Sequence, residues 1–485
     1  MVDPGTAFSL VGLLYLLLSI AAGIHVLLNK QNEAAAFSWL GIIVLAPLVG
    51  AVLYWLFGIN RIRRRARAEL PEQTRESGVQ DNLSLPVGAE ALPAGLQHLM
   101  RTGSAIHPSP YLPHNCLDVL RNGDEAYPAM LEAIRDAKES VVLSSYIFEY
   151  DSIGREFVDA LVFAHNSGVE VRVLIDGLGV GYGFSLVRSD RVLRKQGVRT
   201  ARFLSALSTS GTRFINLRNH RKILSVDGRV AFVGGINIRA GNLLDRASKE
   251  PTQDVHFRIK GEVIDQINKA FVDDWAFATG EKLELPGAVK GESQRRDDPS
   301  GLGDTNVICR VLLDGPDDNY QKLKLTMLGA INAATTRIRI ASPYFLPDQT
   351  IQKALYLAVL RGVSVDVCVP SKNNLRLVGW AMRANTKRLL SYGVQLHESQ
   401  PPFDHSKIFL VDHDWALIGS SNWDERSLEL NFEINLECYG SAFNLRLNQL
   451  MDRKLGQSTR VSNLRKEPLL LRLRNNFCRL LSPYL

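Results

Sequence analysis

Cysteine is scarce and unpatterned. Cys116, Cys309, Cys368, Cys438 and Cys478 are odd in number and never form a C-x-x-C pair, which argues against a disulfide framework or a zinc ribbon and suits a reducing compartment. No H-E-x-x-H sequence and no Cys/His cluster occurs, so neither a metal nor any other cofactor is expected. Charge is almost missing from the start of the chain, where residues 1–60 carry only Asp3, Lys30 and Glu33. What remains is ordinary: 46% hydrophobic and 22% charged residues in a chain of 485 exclude wholesale disorder and leave room for two or three packed units. The formal net charge of +7 favours an anionic partner, phospholipid or nucleic acid alike.

The charge-poor start holds two long apolar runs, Ala7 to Leu28 and Ala34 to Phe57, joined by the polar connector Asn29 to Glu33. At ~1.5 Å per residue the first reaches ~33 Å, enough for a hydrocarbon core of ~30 Å. Together they predict a transmembrane helical hairpin, in which Pro47 is tolerated. The acidic Asp3 and the length of the first run argue against a cleaved signal peptide. Arg61, Arg63, Arg64, Arg65 and Arg67 follow directly, which by the positive-inside rule places them, and all that follows, in the cytoplasm. They suit anionic headgroups or a solvated linker equally.

Beyond a Pro-, Gly- and Ser-containing stretch from Leu70 to Gln97, helix-then-strand signals recur. Gly154 to Ser167 is apolar at helical spacing, Gly168 is placed to stop it, and a strand begins at Val169. Thr350 to Arg361, Gly362 and Val363 repeat the pattern. The preceding segments SSYIFEYD, ending at Asp151, and ASPYFLPD, ending at Asp348, read as matching strands. Alternating helices and strands indicate two α/β units, separated by the linker-like composition of Pro286 to Thr305.

Chemistry repeats with the pattern. His220, Lys222, Asp227, Gly234, Gly235 and Asn237 recur at one constant offset as His405, Lys407, Asp412, Gly419, Ser420 and Asn422. The intervening loops have drifted in length while this block kept its spacing, which argues for a site. Each His-to-Asp segment alternates like a strand, so histidine and lysine share a face. Asp227-Gly228 signals a hairpin turn. The small pairs Gly234-Gly235 and Gly419-Ser420 allow close backbone approach, and Asn237 and Asn422 offer amide donors. Such a face would cradle an anion.

These two His-x-Lys-x4-Asp blocks, each followed by a small pair and Asn, resemble the phospholipase D superfamily. YIFEYD with GVEVRVLIDG, NLRNHRK, PYFLPD with RGVSVDV, and SNWDERSLELNFE further resemble the bacterial cardiolipin synthases within it. PPFDHSK and GSSNWD depart from that family's usual surroundings of the second motif. The resemblance implies an α/β fold of two phospholipase D-like α/β/α lobes related by an internal pseudo-twofold repeat, preceded by the transmembrane hairpin. The expected boundaries are 1–67 for the spans and basic segment, 68–110 for a tether, 111–290 for the first lobe, 291–305 for a linker, and 306–485 for the second lobe.

The implied activity is phosphatidyl transfer from one phosphatidylglycerol to another through a phosphohistidine, releasing glycerol, at the cytoplasmic side of a bacterial inner membrane. Phosphatidylglycerol and anionic lipids would be the partners, nucleic acid would not, and a homo-oligomer is left open. The resemblance makes His220 the nucleophile and His405 the acid, a pair that the residues alone leave nearly symmetric. Lys222, Lys407, Asn237 and Asn422 would stabilise phosphoryl charge, with Gly235 and Ser420 in the substrate-binding set. The resemblance also supplies Asp254 and Glu433 as carboxylates that orient the histidines. Asp227 and Asp412 belong with the catalytic residues by signature, although holding the turn is the preferred role. Tyr146 and Tyr344 read as strand core rather than cleft. A phospholipid hydrolase or a membrane-held nuclease could carry the same residues.

Near the end, Leu470, Leu473, Phe477, Leu480 and Tyr484 form one helical stripe opposite Arg472, Asn475, Asn476 and Arg479. This amphipathic segment suits a membrane surface or burial against the second lobe.

Overall fold

The computed structural model describes residues 4–30, 33–58, 85–177, 179, 187–203, 217–246, 248, 250–289, 304–316, 319, 321–462 and 467–482. The arginines between 61 and 67, the first part of the expected tether, most of the linker and Tyr484 lie outside them. The described residues fall into two compact units, 4–58 and 85 onward.

In the first unit, helix α1 (Pro4–Asn29) is followed by α2 (Glu33–Leu45) and α3 (Pro47–Leu53), which continues as a π-helical turn, Tyr54–Gly58. The continuous second helix expected from Ala34 to Phe57 is thus broken at Ala46, which leaves the helical region with φ −138° and ψ 74°. Proline has no N–H for the preceding turn and its ring disfavours helical geometry in the residue before it. Val26, Ile43 and Tyr54 form the buried centre of the unit. His25 Nδ1 lies 2.8 Å from Tyr54 Oη, and Ser19 Oγ donates to Pro47 O at 3.0 Å. Side chains of residues 4–11, 14, 34, 56 and 57 lie outside the described set. Among the described residues no helix is long and apolar enough to cross a membrane.

The second unit is built on one large sheet and a separate two-stranded one. The strands of its first half are β1 (Leu112–Arg121), β2 (Ser140–Ser145), β3 (Glu170–Asp176), β4 (Arg199–Phe203), β5 (Arg218–Asn219), β6 (Ile223–Val226), β7 (Val230–Gly234), β8 (Thr252–Gln253) and β9 (Val255–Lys260). The second half repeats them as β10 (Asp304–Asp314), β11 (Arg337–Ala341), β12 (Ser364–Pro370), β13 (Gln395–Ser399), β14 (Phe403–Asp404), β15 (Ile408–Val411), β16 (Trp415–Gly419) and β17 (Asn431–Tyr439), with β18 (Thr459–Arg460) added at one edge. The main path of the large sheet runs β18-β13-β12-β11-β15-β16-β17-β10-β1-β9-β7-β6-β2-β3-β4, and the separate sheet is β8 with β14. Outward from the antiparallel pair β10/β1, each side meets its strands in the same order.

The halves expected as two lobes therefore join edge to edge. Alternation along the strands explains how the shared core forms. In β7, Ala231 and Val233 enter a central cluster while Phe232 enters a first-half cluster; in β15, Ile408 and Leu410 enter the same central cluster while Phe409 and Val411 enter a second-half one. The central cluster takes residues from both halves, so contacts do not divide them.

Local signals produce the expected helices. Asp151 caps Ser152–Asn166 by accepting from Gly154 N at 2.9 Å, and Asp348 caps Gln349–Leu360 by accepting from Ile351 N at 2.9 Å. Gly168 (φ 91°) and Gly362 (φ 87°) end them. The preceding strands, however, stop at Ser145 and Ala341, so Tyr146 to Tyr150 and Ser342 to Pro347 are loop. Part of the expected tether is also structured: Ala94–Ile106 is a helix that buries Leu96, Leu99 and Met100 in the second-half core.

Candidate active site

The two His-x-Lys segments are not strand. Each is an extended link between a two-residue strand and a longer one, β5 to β6 and β14 to β15. The short strands set the site because each pairs, in parallel, with the other half. β5 lies on the start of β17, where His220 N donates to Phe432 O at 2.9 Å; β14 lies on β8, where His405 N donates to Gln253 O at 2.7 Å. Each histidine is thus pinned one residue before the other half's carboxylate.

The consequence is a crossed pairing. His220 Nδ1 lies 3.0 Å from Glu433 Oε2, and His405 Nδ1 lies 2.7 Å from Asp254 Oδ2. Each expected carboxylate meets an imidazole, that of the histidine in the opposite repeat. With Nδ1–H held by a carboxylate, the Nε2 lone pair is the free one. Glu433 also accepts from Ser420 Oγ and from Asn431 Nδ2. At the position matching Ser420, Gly235 leaves room for Asp254: a Cβ there would stand 2.3 Å from Asp254 Oδ1.

Lys222 Nζ and Lys407 Nζ each donate to the backbone carbonyl of their own histidine at 2.6 Å, and both lysines are buried. Asn237 accepts from Ile147 N through Oδ1, and Tyr127 Oη donates to its backbone carbonyl. Asn422 Nδ2 donates to Ser427 Oγ.

Burial dominates the protonation of the group. It pushes Lys222 down to about 7 and Lys407 down to about 8, partly opposed by Glu433 and Asp254 respectively. His405 is lowered to about 4, by burial and by Lys407, against the pull of Asp254. His220 is also lowered by burial, with Glu433 opposing. For Glu433 burial acts upward, but His220, Lys222 and Ser420 outweigh it and hold the carboxyl below its usual range.

His220, His405, Asn237 and Asn422 line one cavity of about 380 Å³. Its wall carries Arg218, Arg239 and Arg426 on one hand and Ile147, Leu346, Leu375, Val378 and Phe403 on the other. Tyr146 and Tyr344 belong to it too, with ring centres 5.0 Å from His220 and 6.1 Å from His405. Their placement corrects the strand-core reading, because the strands end before them. The arginines carry no periodic signal, since they lie in or beside loops.

Two signature residues are elsewhere. Asp227 and Asp412 (both φ 53°) sit in the hairpin turns, where the preferred reading put them, and neither lines the cavity. Asp227 accepts from the backbone N–H groups of Lys138, Glu139 and Ser140, each at 2.8 Å. Asp412 accepts from Thr335, Thr336 and Arg337 N–H and from both threonine hydroxyls.

A further frame escaped the sequence reading. Asn219 donates through its backbone to Asp176 and through its side chain to Asp274, and Arg221 pairs with Asp274 at 2.6 Å and donates to Glu433 O. These bonds hold the residues on either side of His220.

Residues 130–275 and 327–455 match the family model described as "Cardiolipin synthase, PLD-like domain", and residues 17–58 match "Phospholipase_D-nuclease N-terminal". Cardiolipin synthase A of Pseudomonas putida is 32% identical over 98% of this chain and 97% of its own length. The cardiolipin synthase of Alkalihalophilus pseudofirmus is 32% identical over 96% and 92%. The crystal structure of phosphatidylserine synthase from Haemophilus influenzae Rd KW20 shares the fold at a TM-score of 0.61 and 15% identity, covering 80% of this chain and all of that one. With its duplicated His-x-Lys blocks joined across a common sheet, the chain belongs to the cardiolipin synthase family of phospholipase D-like proteins.

Proposed function

We propose that the protein is a phosphatidyltransferase that makes cardiolipin from two phosphatidylglycerol molecules. The observation that carries this reading is the cavity in which two carboxylate-braced histidines, one from each half, share walls of arginine and of aliphatic side chains. A phosphodiester needs the first wall and its acyl chains the second.

His220 Nε2 attacks phosphorus; an N–P bond forms as the bond from phosphorus to the glycerol oxygen breaks. His405 gives its proton to that oxygen and glycerol leaves. The terminal hydroxyl of a second phosphatidylglycerol then yields its proton to His405, its oxygen attacks phosphorus, and the N–P bond breaks. Burial keeps His405 neutral in the empty cavity, but a phosphate anion beside it favours the imidazolium that the first step requires. Lys222, Lys407, Asn237 and Asn422 supply positive charge and donors to the phosphoryl oxygens. No step calls on a cofactor.

The same reading takes 111–290 and 306–485 as two lobes of common descent, with Ala7–Leu28 and Ala34–Phe57 as two membrane spans. The absence of charge from both runs and the arginines at 61–67 support the spans, with the catalytic unit on the cytoplasmic face. In an inner membrane, lipid donors and acceptors would reach the cavity by lateral diffusion.

The test is to incubate the full chain in phosphatidylglycerol vesicles without added metal and identify the products by mass. Cardiolipin with equimolar glycerol is expected. Phosphatidic acid alone would assign the chain as a hydrolase, and inert lipid with cleaved DNA would overturn the lipid reading.

A further inference from the structure

The C-terminal helix, Leu469–Leu480, is turned inside out. A helix on a water-soluble surface buries its apolar stripe, yet Leu470 is 78% exposed, Leu473 58%, Phe477 63% and Leu480 70%, while Asn475 and Cys478 are buried at 1% and 2%. The inward side is well fixed. Cys478 packs with Val378 and Ala381 of the helix Arg376–Ser391, and the Arg474 guanidinium lies 4.2 Å from the Trp380 ring centre. Asn475 accepts from Arg474 and donates to Glu467 at 3.0 Å. The outward leucines therefore belong to an anchored element whose orientation the packing determines.

Charge says what covers that face. Lys372, Arg376, Arg383, Lys387, Arg388 and Arg472 are exposed on these two helices or next to them, and no carboxylate occurs in residues 371–391 or 468–482. A second copy of the same face would bring like charges together, which disfavours an isologous pairing. An anionic lipid surface offers both the opposite charge and the apolar depth. The position fits as well: Val378 and Leu346 share a buried cluster with Cys478, and both line the cavity, as does Leu375.

We propose that the Leu469–Leu480 helix docks in the headgroup–acyl boundary of an anionic bilayer, apolar stripe inward to the lipid, and holds the adjoining aliphatic wall of the cavity at that surface. This contact is additional to residues 1–58. It takes from the functional reading only that the cavity's substrate is a membrane lipid, and it stands whether transfer or hydrolysis completes the reaction.

The test uses the full chain, with Cys116→Ser removing the partly exposed thiol and Phe477→Cys carrying an environment-sensitive fluorophore. In phosphatidylglycerol-containing vesicles the emission should shift to the blue and be quenched severalfold by lipids brominated on their acyl chains. Emission that stays water-like in vesicles overturns the proposal. A blue shift already complete without lipid, together with a dimer in solution, overturns it in favour of a second copy. In a second arm, Leu473→Glu with Phe477→Glu should lower turnover of phosphatidylglycerol in vesicles about tenfold or more while leaving a dispersed short-chain substrate unaffected. Unchanged vesicle turnover, or equal loss on both substrates, overturns it. Quenching in a protein that forms no cardiolipin would uphold the docking and defeat the transfer reading.

Discussion

Glu433 and His220 come from opposite halves of the chain, yet Oε2 and Nδ1 lie 3.0 Å apart. Asp254 and His405 mirror them at 2.7 Å. The crossed pairs give the two carboxylates separable roles. Glu433→Gln should cost about 10²–10⁴-fold in turnover, because an amide holds the imidazole less well in the tautomer that keeps Nε2 free. Asp254→Asn should cost a similar factor with phosphatidylglycerol. In a single turnover on a phosphatidyl ester whose leaving group needs no proton, its leaving-group step should recover most of that loss, since His405 is called on again only as the base of the second step. Rescue of Glu433→Gln by that ester, and not of Asp254→Asn, would reverse the assignment of nucleophile and acid.

Local sequence made much of this site legible. The Asp151 and Asp348 caps, the Gly168 and Gly362 stops and the invariant spacing of the two His-x-Lys blocks are short-range signals with direct structural causes. What escaped depends on contacts distant in sequence. Nothing near His220 announces that β5 will lie on β17 and so deliver Glu433. Tyr146 and Tyr344 stand close after strand sequence, but the strands end at Ser145 and Ala341 before reaching them. For Leu469–Leu480 the helical period shows which residues share a face without saying which way that face points. Ala94–Ile106 likewise acquires its role from the second-half core it enters.

Gly235 and Ser420 occupy matching positions but should respond differently. Gly235→Ala places a Cβ 2.3 Å from Asp254 Oδ1, which is itself held by Val255 N at 2.8 Å and cannot retreat freely. Displacing Asp254 should release His405 and cost about 10²-fold in turnover. Ser420→Ala fits the space already occupied by a side chain and removes one donor to Glu433; a loss of about tenfold is expected, consistent with one bond to a charged group. Turnover and melting temperature of both variants check the order. A larger loss for Ser420→Ala would show that the donor matters more than the clearance.

Stability should fall in mild acid. Burial holds His107 down to about 3, and His256 and His405 to about 4, whereas an unfolded chain titrates them near 6.5. Above about 6.5 both states are neutral at these positions. Between there and about 4 the unfolded chain binds protons that the folded one refuses, so folding stability is lost as pH falls through that window. The melting temperature should drop steadily from pH 6.5 to 4. His107→Asn keeps an acceptor for Ser109 N–H and removes one titrating group, so its slope should be shallower by about one proton. An unchanged slope would show that His107 does not contribute.

Asp227 and Asp412 should prove structural when replaced. Each adopts a positive φ, which asparagine tolerates better than other side chains do. Each also gathers the N–H groups that lead into the neighbouring strand, Lys138 to Ser140 for Asp227 and Thr335 to Arg337 for Asp412. For Asp412 burial acts upward, but the bonds from Arg337, Thr336 and Thr335 hold the carboxyl below its usual range, so its contribution is present above the ordinary carboxylate pKa and fades in strong acid. Asp227→Ala should lower stability by about 1–3 kcal/mol, the lower end where water reaches the released N–H groups. Asp412→Ala should do at least as much, because two hydroxyls also lose their acceptor. Asp→Asn at either position should recover part of the loss by retaining one acceptor oxygen. Neither carboxylate lies among the cavity-lining residues, so turnover per folded molecule should stay within about twofold. Loss of turnover at unchanged melting temperature would instead place these carboxylates in the reaction.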